Sequence, residues 1–191
     1  MHIEFEATFL QIDKEEICQR LKNAGAELVY PEFLMKRTVF NPPVQIDGAW
    51  MRVRQEADKI TMSLKVVSGN KIEDQKEVML EVNDFDEAVL FLNSIGAQQK
   101  AYQETKRELW RLGEVECTID TWPGLYPFLE VEGATEEAVQ QAVAQLGLSY
   151  ADAKFCEVSF IYEHELGIPA QIMKDDMPII TFENPPQPYA G

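Results

Sequence analysis

Glu4 and Glu6 stand one residue apart in the opening stretch Ile3-Glu4-Phe5-Glu6-Ala7-Thr8-Phe9. Ile3, Phe5, Ala7 and Phe9 alternate with Glu4, Glu6 and Thr8, which is the period of a half-buried strand. Two carboxylates on one strand face have Cα atoms roughly 6.6–7 Å apart. Both can therefore reach one hard divalent cation, which takes oxygen ligands. An edge strand with a solvated acidic face carries the same pattern, so the reading turns on cations elsewhere. They recur on other alternating stretches. Arg52 and Arg54 share a face in Trp50–Arg54, Lys65 shares one with Thr61 and Ser63, and Arg107 shares one with Gln103 and Thr105. Arg37 lies in the extended stretch 33–40. Further carboxylates take matching positions: Glu77 and Glu81, Asp120 beside Thr118, and Glu130 and Glu132 beside Phe128.

Size and composition set the frame for these groups. With 191 residues and 46% hydrophobic content, the chain is long enough for one domain with a sizeable core. No apolar run approaches the roughly 18 residues of a membrane span. Met1-His2-Ile3-Glu4 has neither a basic n-region nor an apolar h-region, so a secretory signal is not expected. Cys18, Cys117 and Cys156 are odd in number and lack metal-ligand spacing, which suggests reduced thiols in a cytoplasmic protein. A net charge of −16 argues against nonspecific nucleic-acid binding, which rests on basic surfaces. In so acidic a chain, bases gathered on one face become informative.

The elements that must position these groups follow from periodicity. Asp13, Asp84 and Thr135 read as caps of three amphipathic helices that stop near Gly25, Gly96 and Gly147. Trp50–Arg54, Ile60–Val67 and Lys76–Val82, joined by short connections such as Ser68-Gly69-Asn70, read as an antiparallel meander. Glu27–Tyr30 begins a strand that Pro31 breaks, and Phe33–Phe40 resumes extended. Gln103–Leu112, Glu114–Thr121 and Phe128–Glu132 add three more strands. Tyr150–His164 fits either a helix or an extended segment, and the tail from Pro169, with five prolines, reads as an extended appendage. Nearly every strand divides into an apolar and an ionic face. If the helices cover the apolar faces, the ionic faces must point at one another, as in a closed or nearly closed barrel with a polar lumen. An open sheet with a solvated mixed-charge face is the alternative. A lumen holding bases and acids together suits a polyphosphate with its Mg2+ or Mn2+.

Glu4-x-Glu6, Arg52-x-Arg54, Lys65 in Thr-x-Ser-Leu-Lys, Arg107, Asp120 and Glu130-x-Glu132 stand in the order and spacing of the CYTH superfamily. The chain resembles the class IV adenylate cyclases and thiamine triphosphatases of that group, within the triphosphate tunnel metalloenzymes, over residues 1–165. Residues 166–191 form a Pro-rich C-terminal extension expected to pack on that domain. The resemblance implies an α+β fold, an eight-stranded antiparallel tunnel with helices outside. It also implies a small-molecule triphosphate substrate and Mg2+ or Mn2+ as cofactor. Glu4, Glu6, Asp120, Glu130 and Glu132 would be the metal-side carboxylates. Arg52, Arg54, Lys65 and Arg107 would clamp the triphosphate, with Arg37 and Lys154 as further members. No nucleic-acid or membrane partner is expected, and some relatives pair as homodimers. The family's opening Glu-x-Glu-x-Lys ends here in Thr8, and Thr105 sits where many relatives carry a base. Three activities are consistent with the resemblance: metal-dependent hydrolysis of an inorganic or organic triphosphate, adenylate cyclase chemistry, and polyphosphate or nucleotide binding without turnover.

Overall fold

The computed structural model describes residues 2–3, 5–69 and 75–190. Glu4, and Asn70 at the end of the turn expected after Val67, lie outside the described residues. Three helices begin at their expected caps. α1 (Lys14–Asn23) has Asp13 accepting from the Glu16 N–H at 3.0 Å. α2 (Phe85–Ser94) has Asp84 accepting from the Glu87 N–H at 2.9 Å. α3 (Glu136–Gln145) has Thr135 accepting from the Ala138 N–H at 3.2 Å. Each cap satisfies one of the four N–H groups that a helix start leaves without a partner. Gly25 and Gly96 follow α1 and α2 at φ +83° and +92°, a region that side chains disfavour.

The strands form one sheet. Its members are β1 (His2–Ile3), β2 (Phe5–Phe9), β3 (Glu27–Asn41), β4 (Ala49–Gln55), β5 (Ile60–Val67) and β6 (Gln75–Val82), then β7 (Gln98–Leu112), β8 (Val115–Thr121), β9 (Phe128–Gly133) and β10 (Ile179–Ile180). Their order is β1-β6-β5-β4-β3-β7-β8-β9-β2, antiparallel throughout, with β10 added parallel to β7. β1 and β2 belong to the same N-terminal stretch, so the pairing returns to where it began. Counted as one, they complete an eight-stranded antiparallel wall curled into a barrel. Closure is partial. β2 meets β9 over five residue pairs, and β1 meets β6 over two among the described residues, His2 with Glu77 and Ile3 with Lys76. Along the seam this leaves, Thr8 and Lys154 exchange backbone hydrogen bonds of 3.0 and 2.8 Å.

Three apolar clusters pack against the wall. Ala7, Leu21, Cys117, Leu129, Val131 and Val143 join α1 and α3 to β2, β8 and β9. Phe40, Val53, Leu92 and Ala97 seat α2. Trp122, Tyr162, Ile168, Met173 and Ile180 bind α4 (Val158–Leu166), α5 (Ala170–Asp175) and β10 to the β8–β9 connection. Burying each large apolar side chain stabilises the fold by about 1.5–3 kcal/mol. The helices do not cover every apolar face that alternation defines. Val78 and Leu80 of β6 are 44% and 58% exposed. Two further expectations are corrected. Pro31 does not end a strand, because β3 runs unbroken through it with register shifts on either side of Tyr30. At such a bulge a missing N–H costs no ladder bond. The tail is not wholly extended, since it contains α5.

Candidate active site

Alternation along each strand delivers the ionic residues to the inside of the curl. Arg37 (β3), Arg52 and Arg54 (β4), Lys65 (β5) and Arg107 (β7) line one cavity of about 790 Å³ together with Glu6 (β2), Asp120 (β8), Glu130 and Glu132 (β9). Strand pairing then sets them side by side. Arg37 lies opposite Arg54, Arg107 opposite Asp120, and Glu6 opposite Glu132. Among these residues the bases sit on β3–β5 and the carboxylates on β2, β8 and β9, with Arg107 between them, while Glu56 after β4 and Glu77 and Glu81 on β6 also line the cavity.

Arg107 ties the two groups together. Its Nε donates to Asp120 Oδ1 at 2.7 Å, and its Nη2 donates to Asp120 Oδ2 and, at 2.8 Å, to Glu130 Oε2. Burial alone would lower the pKa of Arg107, but Asp120 and then Glu130 outweigh it and hold the guanidinium charged. For Asp120, burial works upward and Arg107 overrides it, leaving the carboxyl below its ordinary value. Glu130 is pushed well above its ordinary range by burial, then by Glu6 and Asp120. Glu132 is raised by burial and by Glu6. This part of the cavity thus carries more carboxylate than its cations neutralise.

Among the bases, burial and neighbouring like charge weigh on Arg37 and Arg54. Arg37 is 7% exposed. Burial, then Arg54 and Arg52, lowers its pKa well below the usual guanidinium value. Its Nη2 donates to Thr105 Oγ1 at 2.7 Å, and its guanidinium lies 4.7 Å over the Trp122 ring. Its buried Nε has no hydrogen-bond partner, a deficit native interiors seldom tolerate. Arg54, lowered to about 10 by burial and by Arg52, donates to Glu56 from Nε and Nη2 at 3.0 and 2.8 Å. Arg52 donates to Glu77 at 3.1 Å and to Ser63 at 3.2 Å.

Of the residues expected in the site, Lys154 stands apart from the group. Glu4 lies outside the described residues. Lys154 is exposed and does not line the cavity, and its tie to the site is the backbone bridge to Thr8. Thr8 is itself 2% exposed and pairs across the sheet with Glu130. Sequence reasoning misses Glu56, which reads as part of a polar turn, and gives no role to Trp122 or Cys156, which also line the cavity. For Glu77, its place on the same face as Glu81 is the available signal. Burial, then Glu130 and Glu6, raises the Cys156 thiol to about 12, so it is held protonated. Among the described residues, no three carboxylate, thiol or imidazole side chains converge closely enough to hold a cation as they stand.

Against known proteins, the model of the CYTH domain matches residues 38–159. The chain belongs to the CYTH domain family. No curated protein sequence matches it. Among solved structures, a Vibrio parahaemolyticus protein with a provisional adenylate cyclase assignment is 18% identical with a TM-score of 0.70, covering 85% of this chain and 98% of that one. A Pyrococcus horikoshii protein is 20% identical with a TM-score of 0.67, covering 81% and 96%. A Hippeastrum protein with a provisional adenylyl cyclase assignment and a dominant triphosphatase activity is 12% identical with a TM-score of 0.56, covering 90% and 99%. These likenesses establish the shared CYTH fold. Among the described residues no helix is long and apolar enough to cross a membrane.

Proposed function

We propose that this CYTH protein is a metal-dependent phosphohydrolase that takes a triphosphate into the curled sheet. The observation that carries this reading is Arg37, a buried guanidinium with an unpartnered Nε, crowded by Arg54, Arg52 and Arg107. Like charges packed this closely are costly unless an anion joins them, and guanidinium forks match phosphate oxygens. Arg37, Arg52, Arg54, Lys65 and Arg107 would grip the phosphates and stabilise charge growing on the leaving group. Lys154, exposed at the seam, would act only at the edge of this site.

Glu6, Asp120, Glu130 and Glu132 fit Mg2+ or Mn2+ by donor chemistry, being hard oxygen ligands whose mutual repulsion raises two of them. A bound divalent ion would neutralise phosphate charge and hold the attacking water. Without it, burial, Glu6 and Asp120 favour the protonated form of Glu130.

The test is purified protein with Mg2+ or Mn2+ and tripolyphosphate, thiamine triphosphate or ATP, assayed for phosphate, pyrophosphate and cyclic AMP. Phosphate release is expected. Cyclic AMP with pyrophosphate would make the protein a cyclase, and binding without product would make it a binder. Arg37→Met should weaken triphosphate affinity at least tenfold without lowering Tm, since Met removes an uncompensated buried charge at similar volume. Unchanged affinity would sink the clamp.

A further inference from the structure

The cavity is also lined by Lys174, a base carried not on a strand but on α5, beyond the residues 38–159 that match the family model. Two observations tie it to the charged groups. Met173, the residue before it, also lines the cavity and is buried in the apolar cluster that includes Trp122, Ile161 and Tyr162. The Arg37 guanidinium lies 4.7 Å over the Trp122 ring, so α5 is seated on the cluster that supports Arg37. Lys174 Nζ also pairs with Glu157 Oε2 at 2.7 Å. Glu157 follows Cys156 in the cavity lining, and the charges of Glu130 and Glu6 reach the Cys156 thiol. The pair is thus linked on one side to the support of Arg37 and on the other to the carboxylates of β2 and β9.

This ion pair is weakly held. Its side chains are 45% and 27% exposed, and pairs this open to water contribute little to stability. The lysine ammonium is a compact charge on a flexible stem with three donors. It can leave a single carboxylate for an acceptor of higher charge. Glu157 keeps a partner when that happens, because the Ser159 hydroxyl donates to its Oε2 at 3.3 Å.

We propose that Lys174 is a further phosphate-binding residue of the cavity, held by Glu157 in the free protein and transferred to the polyanion when it enters. This rests on the triphosphate reading above. It makes α5 part of the site, and it makes Glu157 a competitor with the ligand for the same ammonium group.

Dissociation constants are measured by calorimetry for the methylene analogue of tripolyphosphate, which is not hydrolysed. Lys174→Ala should weaken binding about 5-fold or more, the order of one hydrogen bond to a charged group set against the pair it replaces. Glu157→Gln, which removes the competitor and keeps its shape, should tighten binding by about 1.5- to 5-fold, the strength of an open ion pair. A bridge that only holds α5 in place is lost equally in both variants, and they would then shift affinity in the same direction. Lys36→Ala removes the same charge from the α2 side of β3, where Lys36 lies over the Phe85 ring, and should stay within about twofold. In wild type, amine labelling read by mass spectrometry should modify Lys174 in the free protein and be blocked there by the analogue. Binding within twofold of wild type in Lys174→Ala overturns the proposal. So does an equal loss in Lys36→Ala, a shift of the same sign in both pair variants, or labelling of Lys174 that the analogue does not change. If wild type itself does not bind the analogue, the triphosphate reading falls and takes the transfer with it.

Discussion

Glu130 is the residue on which pH acts most directly. Its folded-state pKa lies above its ordinary value because it is buried beside Glu6 and Asp120. Between the ordinary and the raised value, the folded chain holds a proton that the unfolded chain has released. Stability therefore falls as pH rises through that window. Glu132 acts in the same direction. Asp120, lowered, acts oppositely, and its contribution is lost as pH falls below the ordinary aspartate value. In metal-free buffer, Glu130→Gln should gain in Tm on wild type as pH rises above the ordinary glutamate value. Parallel pH curves for the two proteins would contradict the assignment. The sequence makes these carboxylates visible because strand alternation sorts side chains by face. It cannot show that Arg107 bridges Asp120 and Glu130, or that Thr105 answers Arg37, because both depend on cross-strand register. For Lys154, too, the tie to the sheet is not visible in the sequence. Its main chain, and not its ammonium group, is what meets the N-terminal strand.

At the scale of elements, caps and alternation are strong local signals, so α1, α2, α3, β5 and β8 lie close to their expected spans. Pro31 reads as a break because a proline inside a strand normally removes a ladder bond. The bulge makes that loss harmless, and no local pattern announces a bulge. The tail is least legible, since β10 is defined only by what it joins. It pairs with Tyr102 and Gln103 on β7, while β8 covers Lys106–Leu112. Ile180 there is fully buried in the cluster with Trp122 and Tyr162. Ile180→Ala should cost about 2–5 kcal/mol of unfolding free energy, read by urea denaturation, and leave triphosphate affinity unchanged in the folded protein. A cost under about 0.5 kcal/mol would mean that the tail contributes little to the fold.

For the whole molecule, the cavity at rest is a set of internal ion pairs: Arg107 with Asp120 and Glu130, Arg52 with Glu77, and Arg54 with Glu56. A polyanion that takes the guanidiniums leaves those carboxylates uncompensated, and a divalent cation can take them up. The two ligands should thus favour one another by about 1–3 kcal/mol, or 5- to 150-fold in affinity. Calorimetric titrations of the methylene tripolyphosphate analogue with and without Mg2+ measure this, after correction for the complex the two form in solution. Independent binding would rule the exchange out.

The seam has a bearing on how the chain is made. β2 finds its partner β9 only after the chain between them has been synthesised, and its second neighbour, Lys154, comes later still. Pairings this distant in sequence are slow to form. Glu6 and Glu132, which lie opposite each other across that pairing, can be enclosed together only once it has formed.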